Sequence, residues 1–193
     1  MNHINNKTQI NGILSPLLQK IRINKALPYI RSNRVLDVGC SIGEILRYLP
    51  NDIDYIGIEG NPTYFKNAQA RNPNHTFINL YLDGHNSADL DVPERDTIIM
   101  LAILEHLNQP IETLINLRRY LSKEGNIVIT TPSNFGELFL KIGSKFRIFS
   151  SEIDEHKNHF SKKELISICK EAGAKIVYYS TFEFGMNHLI VLE

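Results

Sequence analysis

Two acidic residues and a glycine turn carry the first sign of chemistry in this sequence. The apolar stretch at residues 35–38 is typical of a buried strand, contains Asp37, and runs into a turn bounded by Gly39 and Gly43. Glycines allow a ligand to approach the main chain, and a helix that begins behind such a turn offers free N–H groups. Glu59 follows Gly39 by 20 residues, at the end of the next strand pattern, where a carboxylate can accept both hydroxyls of a ribose. The pattern predicts a nucleoside site with a cationic group near Asp37.

Short apolar strands alternate with helical stretches along most of the chain. Strands are predicted at 35–38, 55–58, 76–78, 97–101 and 126–130, with helices at 43–49, 63–71 and 111–121. An amphipathic helix is expected to begin near Ser15, and the capping box at 161–164 begins the last helix. Two strands, near 175–181 and 188–192, close the chain. This alternation favours parallel βαβ units, whose strand ends meet at one edge of a sheet.

Length and composition favour one soluble domain over residues 1–193. The chain has 193 residues, of which 42% are hydrophobic and 22% are charged. Its formal net charge is zero, so no overall electrostatic attraction to nucleic acid or to anionic lipid is expected. We expect a helical segment at about 10–31 and a substrate-covering segment at about 132–160. No apolar run approaches the roughly 18 residues of a membrane span, and the first residues lack the apolar core of a secretory signal, so a cytoplasmic location is predicted.

Three motifs give the sequence its resemblance to a known family. Residues 37–43 match the pattern Asp-x-Gly-x-Gly-x-Gly except that Ser41 replaces the middle glycine, Glu59 follows at the end of the next strand, and residues 96–107 end in Leu-Glu-His-Leu. The chain therefore resembles the class I S-adenosylmethionine-dependent methyltransferases, in particular the small-molecule type similar to the O-methyltransferases of ubiquinone biosynthesis. The resemblance implies an α/β fold, a Rossmann-like doubly wound sheet of seven strands, mostly parallel with the last strand antiparallel.

The resemblance also implies a cofactor and the residues that bind it. The cofactor is S-adenosylmethionine, which leaves as S-adenosylhomocysteine. Glu59 resembles the ribose-binding acid, Asp83 the acceptor for the adenine amino group, and the exit of the fourth strand the contact for the methionine portion. The expected cofactor-binding residues are Asp37, Gly39, Cys40, Ser41, Gly43, Glu59, Gly60, Asp83, Gly84, Leu101 and Ala102. No metal is expected, because relatives that use one carry an extra carboxylate where this chain has Ala102.

Methyl transfer to a hydroxyl benefits from a base, and histidine titrates in the right range. His106, His156 and His159 are the catalytic candidates. His106 ranks first because it follows the fourth strand, close to where the methyl group would be transferred. His156 and His159 also have the spacing of metal ligands, but no further histidine or cysteine cluster completes a set.

The acceptor is predicted to be small or medium-sized. Residues 101–104 lack the Asn/Asp-Pro-Pro-Tyr/Phe signature with which amino-group DNA methylases of the family hold a base, so no nucleic-acid partner is expected. The favoured acceptor atom is a hydroxyl oxygen of a sugar, of a lipid-linked molecule or of an aromatic compound. Whether the protein forms a homodimer is left open.

Three other interpretations compete with this one. Residues 39–43 also fit Gly-x-Ser-x-Gly, the elbow of serine hydrolases, although a hydrolase has no use for Asp37 or Glu59 at these positions. A dinucleotide site needs different glycine spacing. Because Ser41 and Ala102 depart from the family pattern, a catalytically silent cofactor-binding protein with a regulatory or assembly role is a further alternative.

Overall fold

The computed structural model describes residues 15–134 and 160–193, and a seven-stranded sheet runs through these residues in the order β3-β2-β1-β4-β5-β7-β6. The strands are β1 (Arg34–Val38), β2 (Asp54–Glu59), β3 (Thr76–Asn79), β4 (Arg95–Leu101), β5 (Leu121–Pro132), β6 (Ile176–Phe182) and β7 (Asn187–Leu192). Neighbouring strands are parallel except that β7 pairs antiparallel with β5 and β6. The predicted α/β fold with an antiparallel last strand is confirmed.

The central strands are apolar on both faces because helices cover both faces of the sheet. Ile98 and Ile127 belong to one buried cluster, whereas Ile99 and Val128 belong to the cluster on the opposite face. Successive side chains of a strand point to opposite faces, so an uninterrupted apolar run is what a strand buried between two layers requires.

The α-helices of the described residues are α1 (Ser15–Ala26), α2 (Pro62–Arg71), α3 (Pro110–Leu117) and α4 (Lys162–Glu171). The predicted capping box of the last helix is present, since the Ser161 side chain accepts from the Glu164 N–H and the Glu164 carboxylate accepts from the Ser161 N–H. None of these helices is long and apolar enough to cross a membrane.

The α-helix predicted at 43–49 is wrong. Only a 3₁₀ helix forms there, at Glu44–Arg47, after Gly43 has adopted a left-handed φ of 74°. Pro50 stands shortly before β2, so the segment between Gly43 and Pro50 has room for little more than one turn.

The boundaries around β5 also differ from the prediction. Helix α3 ends at Leu117 and a 3₁₀ turn follows at Arg118–Tyr120, where an α-helix to 121 was expected. Strand β5 begins at Leu121, because Leu121 pairs with Arg95 ahead of an irregularity in the register of β4 and β5. A bulge of this kind is hard to read from hydrophobic periodicity alone.

Helix α1 packs through its second half. Ile23 and Ala26 are buried, whereas Leu17, one of the apolar residues at helical spacing (13, 14, 17, 18 and 21) from which this helix is predicted, is 52% exposed. The described helix begins at Ser15, and residues 10–14 of the predicted helical segment lie outside the described residues. The pattern therefore located the helix correctly but not the face that it buries.

A set of buried hydrogen bonds fixes the carboxyl end of α1 to the amino edge of the sheet. The Arg31 N–H donates to Thr97 Oγ1 at 2.8 Å, and Asn126 Nδ2 donates to the Tyr29 carbonyl at 2.8 Å. Thr97 Oγ1 lies 2.9 Å from Asn126 Oδ1, and both residues are fully buried where β4 and β5 pair. From this attachment α1 extends over β5 towards the opposite, carboxyl edge.

The His188 side chain of β7 contacts Phe160, the residue with which the second described range begins. Its Nε2 lies 3.2 Å from the Phe160 carbonyl and its Nδ1 lies 2.9 Å from the Tyr179 hydroxyl. A carbonyl only accepts, so Nε2 carries a hydrogen, and in the neutral imidazole, which burial favours, Nδ1 accepts from the Tyr179 hydroxyl. Phe160 forms a bridge with Ser133, the residue that follows β5. Burial lowers the pKa of His188.

This lowered pKa predicts a loss of stability in mild acid. The histidine of the unfolded chain titrates near pH 6.5, so the contribution of His188 to stability is fully present above that pH and is lost as the pH falls towards the lower folded-state pKa. The loss is at most about 1.4 kcal/mol per pH unit. His188→Gln removes this part of the slope. Urea unfolding at several pH values measures it, with the exposed His85→Gln as control, and an unchanged slope in His188→Gln would contradict the assignment.

Candidate functional site

The strand order creates a crevice at the carboxyl edge between β1 and β4. The chain leaves β1 towards β2 on one side and leaves β4 towards β5 on the other, so the turns after β1 and β4 diverge from adjacent positions. Ligands of open α/β sheets bind at such a switch point. The predicted site segments at 39–43, 59–60 and 101–106 all lie at this edge.

Gly39 is required by a close contact between the two turns. It adopts φ 76°, and a Cβ at this position would lie 2.0 Å from Cδ1 of Ile103, which comes from the turn after β4. Any larger residue at position 39 would collide with Ile103 and would also be strained. The glycine therefore joins the turn of β1 to the turn of β4.

The backbone N–H groups of Gly39, Cys40 and Gly43 are bonded within the protein, while the free N–H groups expected at the start of the helix behind the turn stay a prediction. The N–H groups of Gly39 and Cys40 both donate to the Ile58 carbonyl, at 2.8 and 3.0 Å, and the Gly43 N–H donates to the Cys40 carbonyl at 2.9 Å. The turn thus folds back onto the end of β2, and the helix behind it is a 3₁₀ helix, Glu44–Arg47.

Two non-glycine residues beside the crevice adopt left-handed backbone conformations. Ser41, in place of the family's middle glycine, has φ 50°, and Ala102 has φ 57°. Such conformations cost non-glycine residues about 1–2 kcal/mol each and persist where the surrounding structure imposes them. The Ala102 N–H donates to the Thr130 carbonyl at 2.9 Å, which fixes the exit of β4 from Leu101 against β5.

Glu59 stands half-buried at the end of β2, as predicted. One carboxylate oxygen accepts from the Ser41 N–H at 2.9 Å and the other accepts from the Asn61 N–H at 2.7 Å. Each oxygen of a carboxylate can accept a further hydrogen bond, so both remain able to receive a ribose hydroxyl. Gly60 lies beside it against Tyr81, whose ring would stand 2.9 Å from a Cβ at position 60.

Asp37 lies beneath the turn instead of lining the crevice. It is 4% exposed, and the Tyr55 hydroxyl donates to its Oδ2 at 2.7 Å. Burial raises the pKa of Asp37 to about 7, with the hydrogen bond from Tyr55 opposing the rise and the charge of Glu59 adding to it. Asp37 is therefore a buried carboxyl group whose charge changes near neutral pH, and its interaction with a ligand stays a prediction.

Tyr55 was missed by the sequence analysis, although a signal was present. It is an aromatic residue with a hydroxyl in the buried part of β2, where residues 56–58 are aliphatic or glycine, and it lies next to a strand that contains a buried acid. A buried tyrosine hydroxyl needs a partner, and Asp37 is the polar side chain that it meets.

Cys40 contributes packing. Its thiol contacts the main chain of Gly57 in β2, where a Cβ would lie 2.7 Å from the sulfur. Burial raises the pKa of this thiol far above its usual range. The side chain thus faces the sheet, which leaves the main chain of Cys40 as the part that can contact a ligand.

Asp83 joins the segment after β3 to the segment after β4. Its carboxylate accepts from the N–H groups of Asn108 and Gln109, both at 2.9 Å, and from Asn108 Nδ2 at 2.6 Å. It also caps the 3₁₀ helix Gly84–Ala88, in which the Gly84 N–H donates to Thr113 Oγ1 at 2.7 Å. This connecting role was not anticipated, and adenine binding by Asp83 and Gly84 stays a prediction.

The Leu-Glu-His-Leu motif forms a 3₁₀ helix, Leu104–His106, directly after β4. Glu105 is fully buried and accepts from the Thr131 hydroxyl of β5 at 3.0 Å. His106 is half-buried on the same turn, at the edge where the methyl group would be transferred. The motif thus links β4 to β5 and leaves its histidine at the crevice.

The other two catalytic candidates, His156 and His159, lie outside the described residues, as does most of the predicted covering segment at 132–160. Within the described ranges, no group of three or more histidine, cysteine, aspartate or glutamate residues could hold a metal ion. His106 is therefore the candidate base that the described structure can place.

Comparison with known proteins supports the family resemblance. Residues 12–179 match the model of the methyltransferase domain family. A malonyl-[acyl-carrier protein] O-methyltransferase of Paenibacillus sp. (strain JDR-2) is 23% identical over 158 residues, which cover 75% of this chain and 56% of that protein. A tRNA U34 carboxymethyltransferase of Pseudomonas fluorescens (strain Pf0-1) is 30% identical over 113 residues, covering 53% of this chain and 33% of that protein. This chain thus spans about half the length of the first curated relative and a third of the second.

Solved structures show the same fold. The crystal structure of a SAM-dependent methyltransferase from Archaeoglobus fulgidus matches with a TM-score of 0.70 at 18% identity, covering 92% of this chain and 94% of that one. The family match disfavours the serine-hydrolase and dinucleotide alternatives, whereas the ubiquinone-like subtype stays a prediction. Because the family model covers most of its length, this chain belongs to the methyltransferase domain family, and S-adenosylmethionine is the cofactor which that membership implies.

Proposed function

We propose that this chain is an active S-adenosylmethionine-dependent methyltransferase that acts on an oxygen atom of a small or medium-sized acceptor. The observation that carries the proposal is the position of Glu59. Its carboxylate stands at the end of β2, bonded to the Ser41 N–H of the glycine turn, beside the switch point of a sheet with the family's topology.

The residues at the crevice fit such a cofactor. Glu59 would receive the ribose hydroxyls, the main chain at Leu101–Ala102 would meet the methionine portion, and the buried charge of Asp37 suits a cationic ligand. When bound, the cofactor supplies a methyl group on a sulfonium: the S–CH₃ bond breaks as an O–CH₃ bond forms, the sulfur leaves as a neutral thioether, and the hydroxyl proton passes to a base.

The chain's own contribution is to orient the acceptor and to receive that proton. Orientation of the reacting groups can provide about 7–11 kcal/mol, more than a general base usually adds. His106, on the turn after β4, is the base that we assign, and Glu105 anchors this turn by its bond to Thr131. The rigid attachment of the turn is what positions His106.

An oxygen acceptor is supported by the exit of β4 and by the charge of the chain. The sequence Leu101–Leu104 lacks the amino-group methylase signature, and one curated relative is named an O-methyltransferase. A second relative is named for tRNA, but the net charge of zero offers no attraction to a polyanion. A sugar, a lipid-linked or an aromatic hydroxyl fits these constraints.

Glu59→Gln tests the cofactor site. Loss of a charged acceptor for the ribose hydroxyls should weaken S-adenosylhomocysteine binding at least tenfold, since one charge-assisted hydrogen bond contributes about 1.5–3 kcal/mol. Isothermal calorimetry measures the affinity, with the exposed Glu124→Gln as the matched control. Binding of NAD in place of both sulfur cofactors, or equal affinity in Glu59→Gln, would overturn the assignment.

The buried carboxyl predicts a pH-dependent affinity. Because Asp37 has a pKa of about 7, protonation below that pH removes the negative charge that favours a cationic ligand, so cofactor affinity should fall as the pH drops through 7. Tyr55→Phe removes a hydrogen bond to the ionised form and should move the midpoint upwards by about one pH unit. Calorimetry between pH 5.5 and 8.5 measures this, with the exposed Tyr48→Phe as control. If the midpoint of the affinity–pH profile is the same in Tyr55→Phe as in the wild type, the assignment of this pH dependence to Asp37 is wrong.

His106→Ala separates chemistry from binding. Turnover of radiolabelled cofactor with a pooled metabolite extract should fall about 10²-fold or more while cofactor affinity stays within a few-fold, because a base acts in the transition state. The exposed His85→Ala serves as control. Normal turnover in His106→Ala would assign the base elsewhere, and cofactor binding without any turnover in the wild type would favour the silent cofactor-binding alternative.

A further inference from the structure

A positive charge on helix α1 interacts with the turn that carries the candidate base, and the function described above gives this charge no role. Arg22 of α1 is half-buried, and its guanidinium is attracted by Glu105 and, less strongly, by Glu183. Glu105 belongs to the same 3₁₀ helix as His106, directly after β4. Arg22 therefore interacts with the turn whose position determines where the candidate base lies.

The position of Arg22 is set by the packing of α1. Its neighbour in the chain, Ile23, is 4% exposed and belongs to the same buried cluster as Val128 of β5. The chain after α1 is bonded to Thr97 and Asn126 at the amino edge of the sheet. Because both attachments are independent of the turn after β4, the cation stays in place and restrains the turn.

Glu105 is an acid for which a nearby cation matters. Its side chain is fully buried and accepts from the Thr131 hydroxyl of β5 at 3.0 Å. Burial removes the hydration that a carboxylate has in water, so the charged form is kept only where hydrogen bonds and opposite charge replace that hydration. The bond from Thr131 and the charge of Arg22 both favour the ionised carboxylate. Neutralising Arg22 removes one of these two supports.

Glu183, the second acid that attracts Arg22, lies on the β6–β7 hairpin. Burial raises the pKa of Glu183, whereas the charge of Arg22 and a hydrogen bond from Asn187 lower it. The hairpin also has main-chain hydrogen bonds of its own across residues 182–186. The stronger attraction makes Glu105 the main partner of Arg22, and stabilisation of the hairpin is the competing role that an experiment has to exclude.

Loss of the cation would affect chemistry because His106 directly follows Glu105. Removing one partner of a buried ion pair costs more than the pair contributes, since the other charge stays buried without compensation. The turn relieves this cost when Glu105 moves towards water, which breaks its bond to Thr131. His106 moves with the turn, and a displacement of about 1 Å at a reacting group can lower a rate about 10²-fold.

We propose that Arg22 is a positioning residue for methyl transfer: it balances the charge of Glu105 and thereby keeps the turn after β4, with His106, at the carboxyl edge. The proposal rests on the methyltransferase function proposed above and adds that helix α1 completes its catalytic site. Arg22 acts through Glu105 and contacts neither cofactor nor acceptor in this role. Turnover therefore depends on Arg22, whereas cofactor affinity does not.

Amide hydrogen exchange tests the coupling without any substrate. The N–H groups of Ala102, His106 and Leu107 donate to carbonyls that hold the turn after β4, so their exchange reports its opening. In Arg22→Gln these three amides should exchange about tenfold or more faster than in the wild type, while the amides of β4 and β5 change less than about threefold. The control is Lys20→Gln, an exposed residue of the same helix, which should leave all these rates unchanged.

Activity provides the readout that a purely structural role would not change. Turnover of radiolabelled cofactor with a pooled metabolite extract, at saturating cofactor, should fall about tenfold or more in Arg22→Gln. The affinity for S-adenosylhomocysteine, measured by calorimetry, should stay within about twofold. Arg22→Lys keeps the charge and should retain turnover within about threefold, because the role of the residue is electrostatic.

A double-mutant cycle identifies the acid through which Arg22 acts. Glu105→Gln removes the negative charge and keeps an oxygen that can accept from the Thr131 hydroxyl. In this background the further change Arg22→Gln should alter the exchange of the turn less than about twofold, whereas in a Glu183→Gln background it should still accelerate exchange about tenfold. If Arg22→Gln alone does not fold, the proposal requires that the double variant with Glu105→Gln folds and that the one with Glu183→Gln does not.

The outcomes separate this proposal from the methyltransferase function. The positioning role is overturned, while the function stands, if Arg22→Gln leaves the turn amides and turnover as in the wild type, or if the amides of β4 and β5 accelerate as much as those of the turn. Suppression of the effect by Glu183→Gln instead of Glu105→Gln also overturns it, as does a loss of cofactor affinity in Arg22→Gln. If the wild type turns over no substrate, the proposed function fails and the positioning role fails with it.

Discussion

The buried hydrogen bonds around Thr97 and Asn126 determine where the amino-terminal helix lies and, through it, how the site is completed. Both side chains are fully buried at the amino edge of β4 and β5, and they bond to the main chain at Tyr29 and Arg31. Polar groups at this depth need partners, so the chain after α1 has little freedom to attach elsewhere. With that end fixed, α1 extends along β5, and Arg22 arrives at the carboxyl edge between two acids.

The carboxyl edge is unusual in how many carboxyl groups it holds close to the core. Asp37 and Glu105 are buried and Glu59 is half-buried, each with hydrogen bonds that orient it. Burial disfavours charge, so such an edge is most stable when a cation neutralises part of it. The guanidinium of Arg22 from α1 meets part of this requirement, since Glu105 and Glu183 attract it. In the proposed function the sulfonium of the cofactor would meet the rest, and the loss of its charge on transfer would weaken binding of the product.

The sequence predicted most of the sheet, because alternating apolar bursts and helical stretches leave little choice of topology. It also placed Glu59 and the Leu-Glu-His-Leu turn at the ligand edge, since the carboxyl ends of parallel strands meet there. The prediction was wrong where the space available to a segment determines its structure. The segment after Gly43 is too short for an α-helix, and the N–H groups of Gly39 and Cys40 both donate to the Ile58 carbonyl, a contact that depends on how β1 and β2 pack.

Partners distant in the chain were also beyond the sequence. Tyr55 and Asp37 meet because their strands are neighbours, and Asp83 holds the turn at Asn108 because two loops converge. Arg22 belongs to no recognisable sequence motif, and its position near two acids follows only from the direction in which α1 runs. Residues of this kind become visible when the tertiary arrangement is known, whereas motif residues are recognisable beforehand.

The packing of Cys40 has a consequence for the redox behaviour of the protein. The chain has two cysteines, Cys40 and Cys169, and both thiols are free and buried, with pKa values raised by burial. Oxidants and alkylating reagents react with the exposed thiolate, which neither residue supplies at neutral pH. The glycine turn can therefore contain a cysteine that presents no reactive thiolate to mixed disulfides or to alkylating reagents.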